Sequence, residues 1–241
     1  SHREFLGLPI RQIFYRTAPL LTITLPVYYY RLLFTNASKR NNLICSLLFF
    51  GALLGTGTRA SMLAAMLIVT TISIYKIFIS RWGKVIFLPL FTLFILGGSL
   101  LLYKLVTDTG EQSLEVKKGH VTSLIHEIKQ PSTLIVGQGI GSQYFSAGFN
   151  ANTAQSEVSY LEIIRMFGLI GGGLLFCLFL IPVYLCLKNK PDAYGAFALG
   201  YISYLFIGGT NPLLVSSTGM LVICVAFSYS SHKQIGTYNE Q

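Results

Sequence analysis

The chain has 241 residues, of which 52% are hydrophobic and only 11% are charged, whereas a soluble domain carries about 25% charged residues. Its apolar residues also fall in blocks of about twenty, the length that crosses ~30 Å of hydrocarbon. These properties exclude a soluble enzyme and predict a polytopic membrane protein. The net charge of +9 does not indicate nucleic-acid binding, because the basic residues are scattered singly or in pairs. Contact with anionic lipid head groups explains them.

Seven apolar blocks predict seven membrane-spanning helices, and therefore an all-α transmembrane helix bundle. The predicted spans cover residues 17–34, 43–57, 60–78, 85–106, 157–187, 193–209 and 213–230. Four of them lie within 1–106 and three within 157–241, and residues 107–156 form one large polar loop between these regions. Since the chain begins at Ser1 rather than Met, we expect further spans upstream of this sequence.

Paired cations in the short loops set the predicted orientation. The pairs are Lys39 with Arg40, Arg81 with Lys84, and Lys188 with Lys190. Seven spans place all three pairs on one side, which the positive-inside rule assigns to the cytoplasm. The polar loop then faces outward.

The polar loop contains one amphipathic segment. Val121, Leu124, Ile125 and Ile128 recur at helical spacing, and Pro131 ends the pattern. We therefore expect a short helix that lies on the bundle or on the bilayer surface.

A glycine-rich run, GQGIG, follows at residues 137–141. A lone pattern of this kind is weak support for a nucleotide-binding loop, because no strand–helix–strand unit surrounds it. A tight backbone turn explains it better, although amides at Gly139 and Gly141 could also face a diphosphate.

Charged residues stand at the start of the fifth predicted span, where charge beside hydrocarbon is expensive and points to function. On one continuous helix Arg165 lies ~80° and Glu162 ~140° around the axis from Glu157, so the three share one half of its surface. One interpretation is a structural ion pair of Glu162 with Arg165, its i,i+3 neighbour, beside a solvated Glu157. The other makes Glu157 a base or substrate ligand and Arg165 an anion clamp.

Further cations flank the predicted outer face. Arg59 follows a Gly/Thr-rich break between two spans, where its planar guanidinium suits phosphate oxygens; the alternative is a snorkelling interfacial arginine. Lys117, Lys118 and His120 cluster in the polar loop, either as substrate ligands or as solvated charges. Four histidines without HxxxH or HExxH spacing give no argument for a metal ion, and we expect none.

Three segments together resemble the O-antigen polymerase and ligase superfamily of bacterial inner-membrane glycosyltransferases. Residues 55–59 (GTGTR), at the start of an apolar span, resemble that family's Ser/Thr-Gly-Ser/Thr-Arg segment. Residues 117–145 resemble the large periplasmic loop of the polymerases, which has a basic residue, Gly-His, a short helix and then Gly-x-Gly-x-Gly before an aromatic residue. Residues 157–172 (EVSYLEIIRMFGLIGG) are similar to the segment that leads into the following span.

The resemblance favours a polymerase. The ligases place a His, then Asn, Ser or Gln, then nine further residues, and then a Gly-x-x-Gly element; counted back from Gly168 and Gly171, the His position is Glu157 here. The resemblance implies polymerisation of polyprenyl-diphosphate-linked repeat units at the periplasmic face of the inner membrane, without cofactor or metal. The implied partners are the lipid-linked glycan, membrane lipid and a chain-length regulator. An O-antigen ligase and a lipid-linked glycan transporter or flippase are the alternatives, and a transporter would spread charges through the middle of several spans.

The chemistry of this reaction suits the residue types. A sugar that leaves from a diphosphate needs no proton donor, but it needs positive charge at the phosphates and a base for the attacking hydroxyl. We therefore expect Glu157 and Arg59 to be catalytic. The expected substrate-binding residues are Lys117, Lys118, His120, Gly139, Gly141 and Arg165.

Overall fold

The computed structural model describes residues 2–5, 8–11, 17–36, 38–56, 58–79, 110–188, 193–209 and 211–236. Within these ranges the chain is mostly helical, in agreement with the all-α prediction, and adds two short strand pairs. The eight α-helices of these ranges are α1 (Leu21–Phe34), α2 (Lys39–Gly55), α3 (Arg59–Ile79), α4 (Gly110–Ile128), α5 (Pro131–Ile135), α6 (Ser159–Lys188), α7 (Ala193–Gly209) and α8 (Ser217–Gly236). The antiparallel strand pairs are β1 (His2–Phe5) with β2 (Leu8–Arg11), and β3 (Tyr144–Ser146) with β4 (Ala151–Thr153).

Two helices of the described residues are long and apolar enough to cross a membrane, at Ala60–Ile79 and Ser159–Lys188. Helix α7 and the Ser217–Ser231 part of α8 are apolar but shorter. Helices α1 and α2 have 14 and 17 residues, fewer than the ~20 that a span needs. The fourth predicted span, 85–106, lies outside the described residues. The seven-span bundle is therefore not confirmed.

Helix α6 exposes its apolar side chains instead of burying them. Only 22% of its most apolar stretch is buried. The exposed large side chains are Leu169, Ile170, Leu174, Leu178, Leu180, Ile181, Tyr184 and Leu187. The core helix of a soluble protein would be mostly buried, and contiguous apolar surface is unfavourable in water. Hydrocarbon suits such a surface, which favours a membrane protein.

Two helix boundaries differ from the sequence prediction. Helix α2 begins at Lys39, so the Lys39 and Arg40 pair lies in its first turn rather than in a loop. Helix α4 has 19 residues, so the helix of the polar loop is not short. The predicted stop before Pro131 is confirmed, and this proline begins α5, because its missing N–H is not needed in a first turn. The cations Arg81, Lys84 and Lys190 lie outside the described residues, so the orientation stays a prediction.

Contacts divide the chain into two units. The first comprises residues 1–104 and 186–207. Its core forms where α1 packs against α2 and α3, around Leu25, Leu53, Ala65, Ile68 and Ile72. Helix α7 comes close to α1 at Gly200, where an added Cβ would lie 2.5 Å from the Thr22 carbonyl oxygen. A glycine at this contact therefore lets the two backbones approach.

The second unit comprises residues 105–185 and 208–241, and joins the polar loop to most of α6. Helix α4 packs against α5 and β3, and the β3–β4 hairpin pairs Tyr144 with Thr153. The alternation along β3 buries Tyr144 and Ser146 and exposes Phe145. This unit contains every predicted site residue other than Arg59.

Candidate functional site

Helix α6 is broken at Gly168, which adopts φ +65° and ψ −173°. The carbonyl groups just before the break accept hydrogen bonds from outside the helix. The backbone N–H of Gln138 donates to the Arg165 carbonyl oxygen at 2.8 Å, and that of Gly139 donates to the Met166 carbonyl oxygen at 3.0 Å. A helix end leaves carbonyl groups without helical donors, and the glycine-rich loop supplies donors here.

The contact between this loop and the break requires glycine on both sides. A Cβ on Gly137, which has φ +88°, would overlap the Met166 carbonyl oxygen, and a Cβ on Gly168 would overlap the Ile135 carbonyl oxygen. Positive φ also disfavours residues with a Cβ. The GQGIG run is therefore a tight backbone turn packed against α6.

The two glycines predicted to bind substrate have different positions in this turn. Gly139 and Gly141 are exposed, with φ +86° and +81°. The Gly139 amide donates to Met166, so it is not available to a diphosphate in this arrangement. For Gly141 the role stays a prediction.

The Arg165 guanidinium is fully buried and uses all five of its N–H donors within the protein. Nε and Nη2 donate to the Glu162 carboxylate at 3.1 and 2.7 Å. Nη1 donates to Gln138 Oε1 at 2.8 Å and to Ser142 Oγ at 2.7 Å, and Nη2 donates to the Ser142 carbonyl oxygen at 3.1 Å. The Arg165 Cζ also lies 4.7 Å from the centroid of the Tyr144 ring. The predicted ion pair of Glu162 and Arg165 is confirmed.

Because protein acceptors occupy all five N–H donors of Arg165, the prediction that this residue clamps an anion has to be revised. A buried charge is tolerated only when its hydrogen bonds are satisfied, and here they are satisfied by protein groups alone. A diphosphate would have to displace Gln138, Ser142 or Glu162 to reach the guanidinium. The geometry therefore favours Arg165 as a positioning residue that holds the loop against α6.

Gln138 connects this arginine to α4. Its Nε2 donates to Glu127 Oε2 at 2.7 Å, while its Oε1 accepts from Arg165. The sequence analysis singled out neither Gln138 nor Ser142, because uncharged side chains in a loop carry no pattern. The only available signal was their position within and just after the glycine run.

His120 is completely buried where α4 meets the β3–β4 hairpin. Its Nδ1 lies 2.8 Å from Ser146 Oγ and 3.5 Å from the Tyr144 hydroxyl. Its Nε2 has no hydrogen-bond partner among the described residues. The Phe149 ring meets the imidazole edge-on, with 4.3 Å between the ring centroids.

Two glycines bring about this burial. A Cβ on Gly119 would lie 2.5 Å from the backbone nitrogen of Gly148, and a Cβ on Gly148 would overlap the Val116 carbonyl oxygen. A Cβ on Gly148 would also lie 3.1 Å from Cδ2 of His120. The Gly-His pair in α4 is therefore required for close packing: the glycine lets the hairpin approach, and the hairpin covers the histidine.

The electrostatics of this cluster favour a neutral imidazole. Burial lowers the pKa of His120, and the carboxylates of Glu157 and Glu162 oppose that shift. Burial likewise raises the pKa of Tyr144, against a hydrogen bond from Ser156 that lowers it, so the phenol is protonated at neutral pH. The cluster thus places two neutral hydrogen-bonding groups near two carboxylates.

Glu157 precedes α6 rather than belonging to it. The helix begins at Ser159, whose hydroxyl donates to the Asn211 carbonyl oxygen at 2.5 Å, so the predicted helical angles are wrong for Glu157. This residue is half-buried and forms no ion pair in the part of the chain that the structure describes. Its carboxylate lies close enough to raise the pKa of His120. Within the described residues the two acidic residues therefore differ, since Glu162 has an ion-pair partner there and Glu157 has none.

The remaining candidates are cations. Lys117 is half-buried and Lys118 is exposed on α4, directly before the Gly119–His120 pair. Arg59 begins α3 in the other unit, and its side chain lies outside the described residues, so its role stays a prediction. No group of three or more His, Cys, Asp or Glu residues that could hold a metal ion occurs among the residues described.

Comparison with known proteins adds no relative: no protein-family model, curated protein or solved structure matches this chain. The resemblance to the O-antigen polymerases therefore rests on the sequence segments alone.

Proposed function

We propose that this chain is a membrane glycosyltransferase that polymerises oligosaccharide repeat units carried on polyprenyl diphosphate, at the periplasmic face of the bacterial inner membrane. The observation that carries the proposal is the contrast between two carboxylates at the head of α6. Arg165 neutralises Glu162, whereas Glu157 forms no ion pair within the described ranges and lies near the buried His120. A carboxylate beside a membrane-length helix, with no ion pair among the described residues, is suited to act as a general base.

In the proposed reaction Glu157 accepts the proton of the acceptor sugar hydroxyl as its oxygen attacks the anomeric carbon of the donor sugar. The bond from that carbon to the diphosphate oxygen breaks, and the diphosphate leaves as an anion that needs no proton. Positive charge directed at the phosphates lowers the barrier, and loss of one such donor typically costs ~2.7–4 kcal/mol, or ~10²–10³ in rate. We assign this task to Lys117 and Lys118, and Arg59 remains the sequence-based candidate.

The buried network supports this chemistry by holding its surroundings in place. Arg165 joins Gln138, Ser142 and Glu162 into one hydrogen-bonded group. Reacting groups must be held to within a fraction of an ångström, which requires locked neighbours. In this proposal Arg165 positions the site, and a lipid-linked substrate approaches it from the bilayer around α6.

The test is complementation of a strain that lacks a repeat-unit polymerase, with glycans separated on gels. The wild-type chain should restore a ladder. Glu157→Gln should leave only single repeats, although the variant protein reaches its normal level in the membrane. Glu115→Gln changes an exposed side chain of α4 in the same way and should keep the ladder. A ladder that persists with Glu157→Gln would remove Glu157 as the base. Absence of all surface glycan in that strain would point to export instead.

A further inference from the structure

We propose that residues 135–140 insert into the boundary between lipid head groups and acyl chains, at the leaflet where α6 begins its crossing. These residues belong to the polar loop that the sequence analysis placed outside the membrane. The inference concerns membrane contact and does not rest on the proposed reaction.

The segment exposes large apolar side chains next to those of α6. Ile135, Val136 and Ile140 are 50%, 71% and 77% exposed. Leu169 and Ile170, directly after the helix break, are 54% and 64% exposed. Since the loop backbone is in contact with the break, these side chains belong to one region of the surface. A contiguous apolar patch of this kind marks an interaction surface rather than chance exposure.

The position of the break sets the depth of this patch. Arg165 is the last charged residue before Gly168, and none occurs from 169 to 187. At 1.5 Å per residue that stretch spans ~30 Å, the thickness of the hydrocarbon. The hydrocarbon therefore begins close to Gly168. Loop residues in backbone contact with Gly168 lie at the same depth.

The chemistry of the loop permits such a location. Between Lys129 and Glu157 the chain has no charged residue. Irregular segments are kept out of membranes by backbone groups without hydrogen-bond partners. Here the N–H groups that donate to protein carbonyls are those of Leu134, Val136, Gly137, Gln138 and Gly139. The loop can therefore reach the boundary without leaving these donors unsatisfied.

Lipid is the occupant that these observations favour. The patch continues along α6 into Leu174 and Leu178, which are exposed on a helix of membrane length. Lys129 is exposed and stands six residues before the segment. Its ammonium group is suited to contact anionic lipid head groups. A protein partner would have to cover the loop and the lipid-facing side of α6 together.

The experiment places a bimane fluorophore on single cysteines at Val136 and Ile140, after the four native cysteines are replaced by alanine. The full chain is reconstituted into vesicles of phosphatidylethanolamine and phosphatidylglycerol. Two quenchers of the bimane fluorescence are compared. One is a nitroxide on the lipid acyl chain near the head group, and the other is iodide in the aqueous phase. Asn152, exposed in β4, is the aqueous control, and Leu174 is the hydrocarbon control. Relative to Asn152, both loop positions should show several-fold stronger nitroxide quenching and several-fold weaker iodide quenching.

Three results would overturn the proposal. Iodide quenching at Val136 and Ile140 equal to that at Asn152 would place the loop in water. Shielding from both quenchers would show that protein covers the patch instead of lipid. Iodide quenching at Leu174 would remove α6 itself from the bilayer. None of the labelled positions lies in the proposed catalytic machinery, so ladder formation tests the proposed function separately.

Discussion

Glu162 and Arg165 form a bidentate ion pair three residues apart on α6, with the guanidinium wholly buried. The remaining donors of the arginine bind Gln138 and Ser142, so the pair ties the glycine-rich loop to the helix. A buried pair of this kind contributes little net stability, but the loss of one partner leaves an uncompensated charge. Its role is therefore best tested by removing one partner.

Arg165→Ala should lower the free energy of unfolding by about 3–5 kcal/mol, because Glu162 would be left buried without its partner. Arg165→Lys should lie between this variant and the wild type, since a single ammonium cannot donate to Glu162 bidentately and also reach Gln138. The measurement is retention of monodisperse protein on heating in detergent. Lys118→Ala removes an exposed charge and should change stability by less than about 0.5 kcal/mol. Equal losses of stability in Arg165→Ala and in the control Lys118→Ala would contradict the buried network.

A graded series of glycine variants tests the contact between the loop and the helix break. Gly137→Ala and Gly168→Ala should be strongly destabilising, because each new methyl group would overlap a carbonyl oxygen of the opposite segment. Gly139→Ala should lower the free energy of unfolding by only ~1–2 kcal/mol, the cost of a left-handed backbone for a residue with a Cβ. No steric cost is added, because no atom lies within 4 Å of the added Cβ. Gly173→Ala, in the helix with open space, should be neutral or stabilising by up to ~1 kcal/mol. Melting temperatures in any other order would show that the loop packs differently.

Gly148→Ala should displace the hairpin from α4 and uncover His120, because its methyl group would overlap the Val116 carbonyl oxygen. Diethyl pyrocarbonate should then modify His120 several-fold faster than in the wild type, as measured by peptide mass spectrometry. Asn152→Ala, at an exposed position of the same hairpin, should leave the rate unchanged. Rapid modification of His120 in the wild type would contradict its burial.

Stability should depend on pH through His120. Burial lowers the pKa of His120 in the folded state, whereas an unfolded imidazole titrates near ~6.5. The unfolded state therefore binds more protons below pH ~6.5, so stability falls as pH decreases from there towards the lowered pKa. Melting temperature between about pH 8 and about pH 5 should show this decline, and His120→Asn should reduce it. His126→Asn, at an exposed histidine, should leave the decline intact; an unchanged slope in His120→Asn would assign the effect to other groups.

Local features of the sequence were sufficient for the helical class and for one part of the site. The long apolar run of α6 was evident from composition, because a span needs ~20 apolar residues in succession. The i,i+3 spacing made the Glu162–Arg165 pair one of two interpretations of these residues, and the structure forms this pair. The helix stop before Pro131 followed from proline chemistry. Each of these features lies within one continuous segment of the chain.

The tertiary structure alone decided where the other site residues lie. A continuous helical pattern placed Glu157 on α6, but the helix begins at Ser159, where the Asn211 carbonyl accepts the serine hydroxyl. The burial of His120 depends on a hairpin more than twenty residues away in sequence. The other three acceptors around Arg165, on Gln138 and Ser142, come from a loop that no sequence period relates to this arginine.

The physical reason is the range of the forces involved. The apolar content of a segment and the i,i+3 spacing of two residues are both visible within one stretch of the sequence. The membrane-length helix and the spacing of its ion pair could therefore be predicted from the sequence. The capping of the Gly168 break by Gln138 and Gly139 required two backbones to meet, which positive φ at Gly137 and Gly168 permits. Contacts between distant backbones leave no periodic trace in a sequence, and only the fold decides which partners they find.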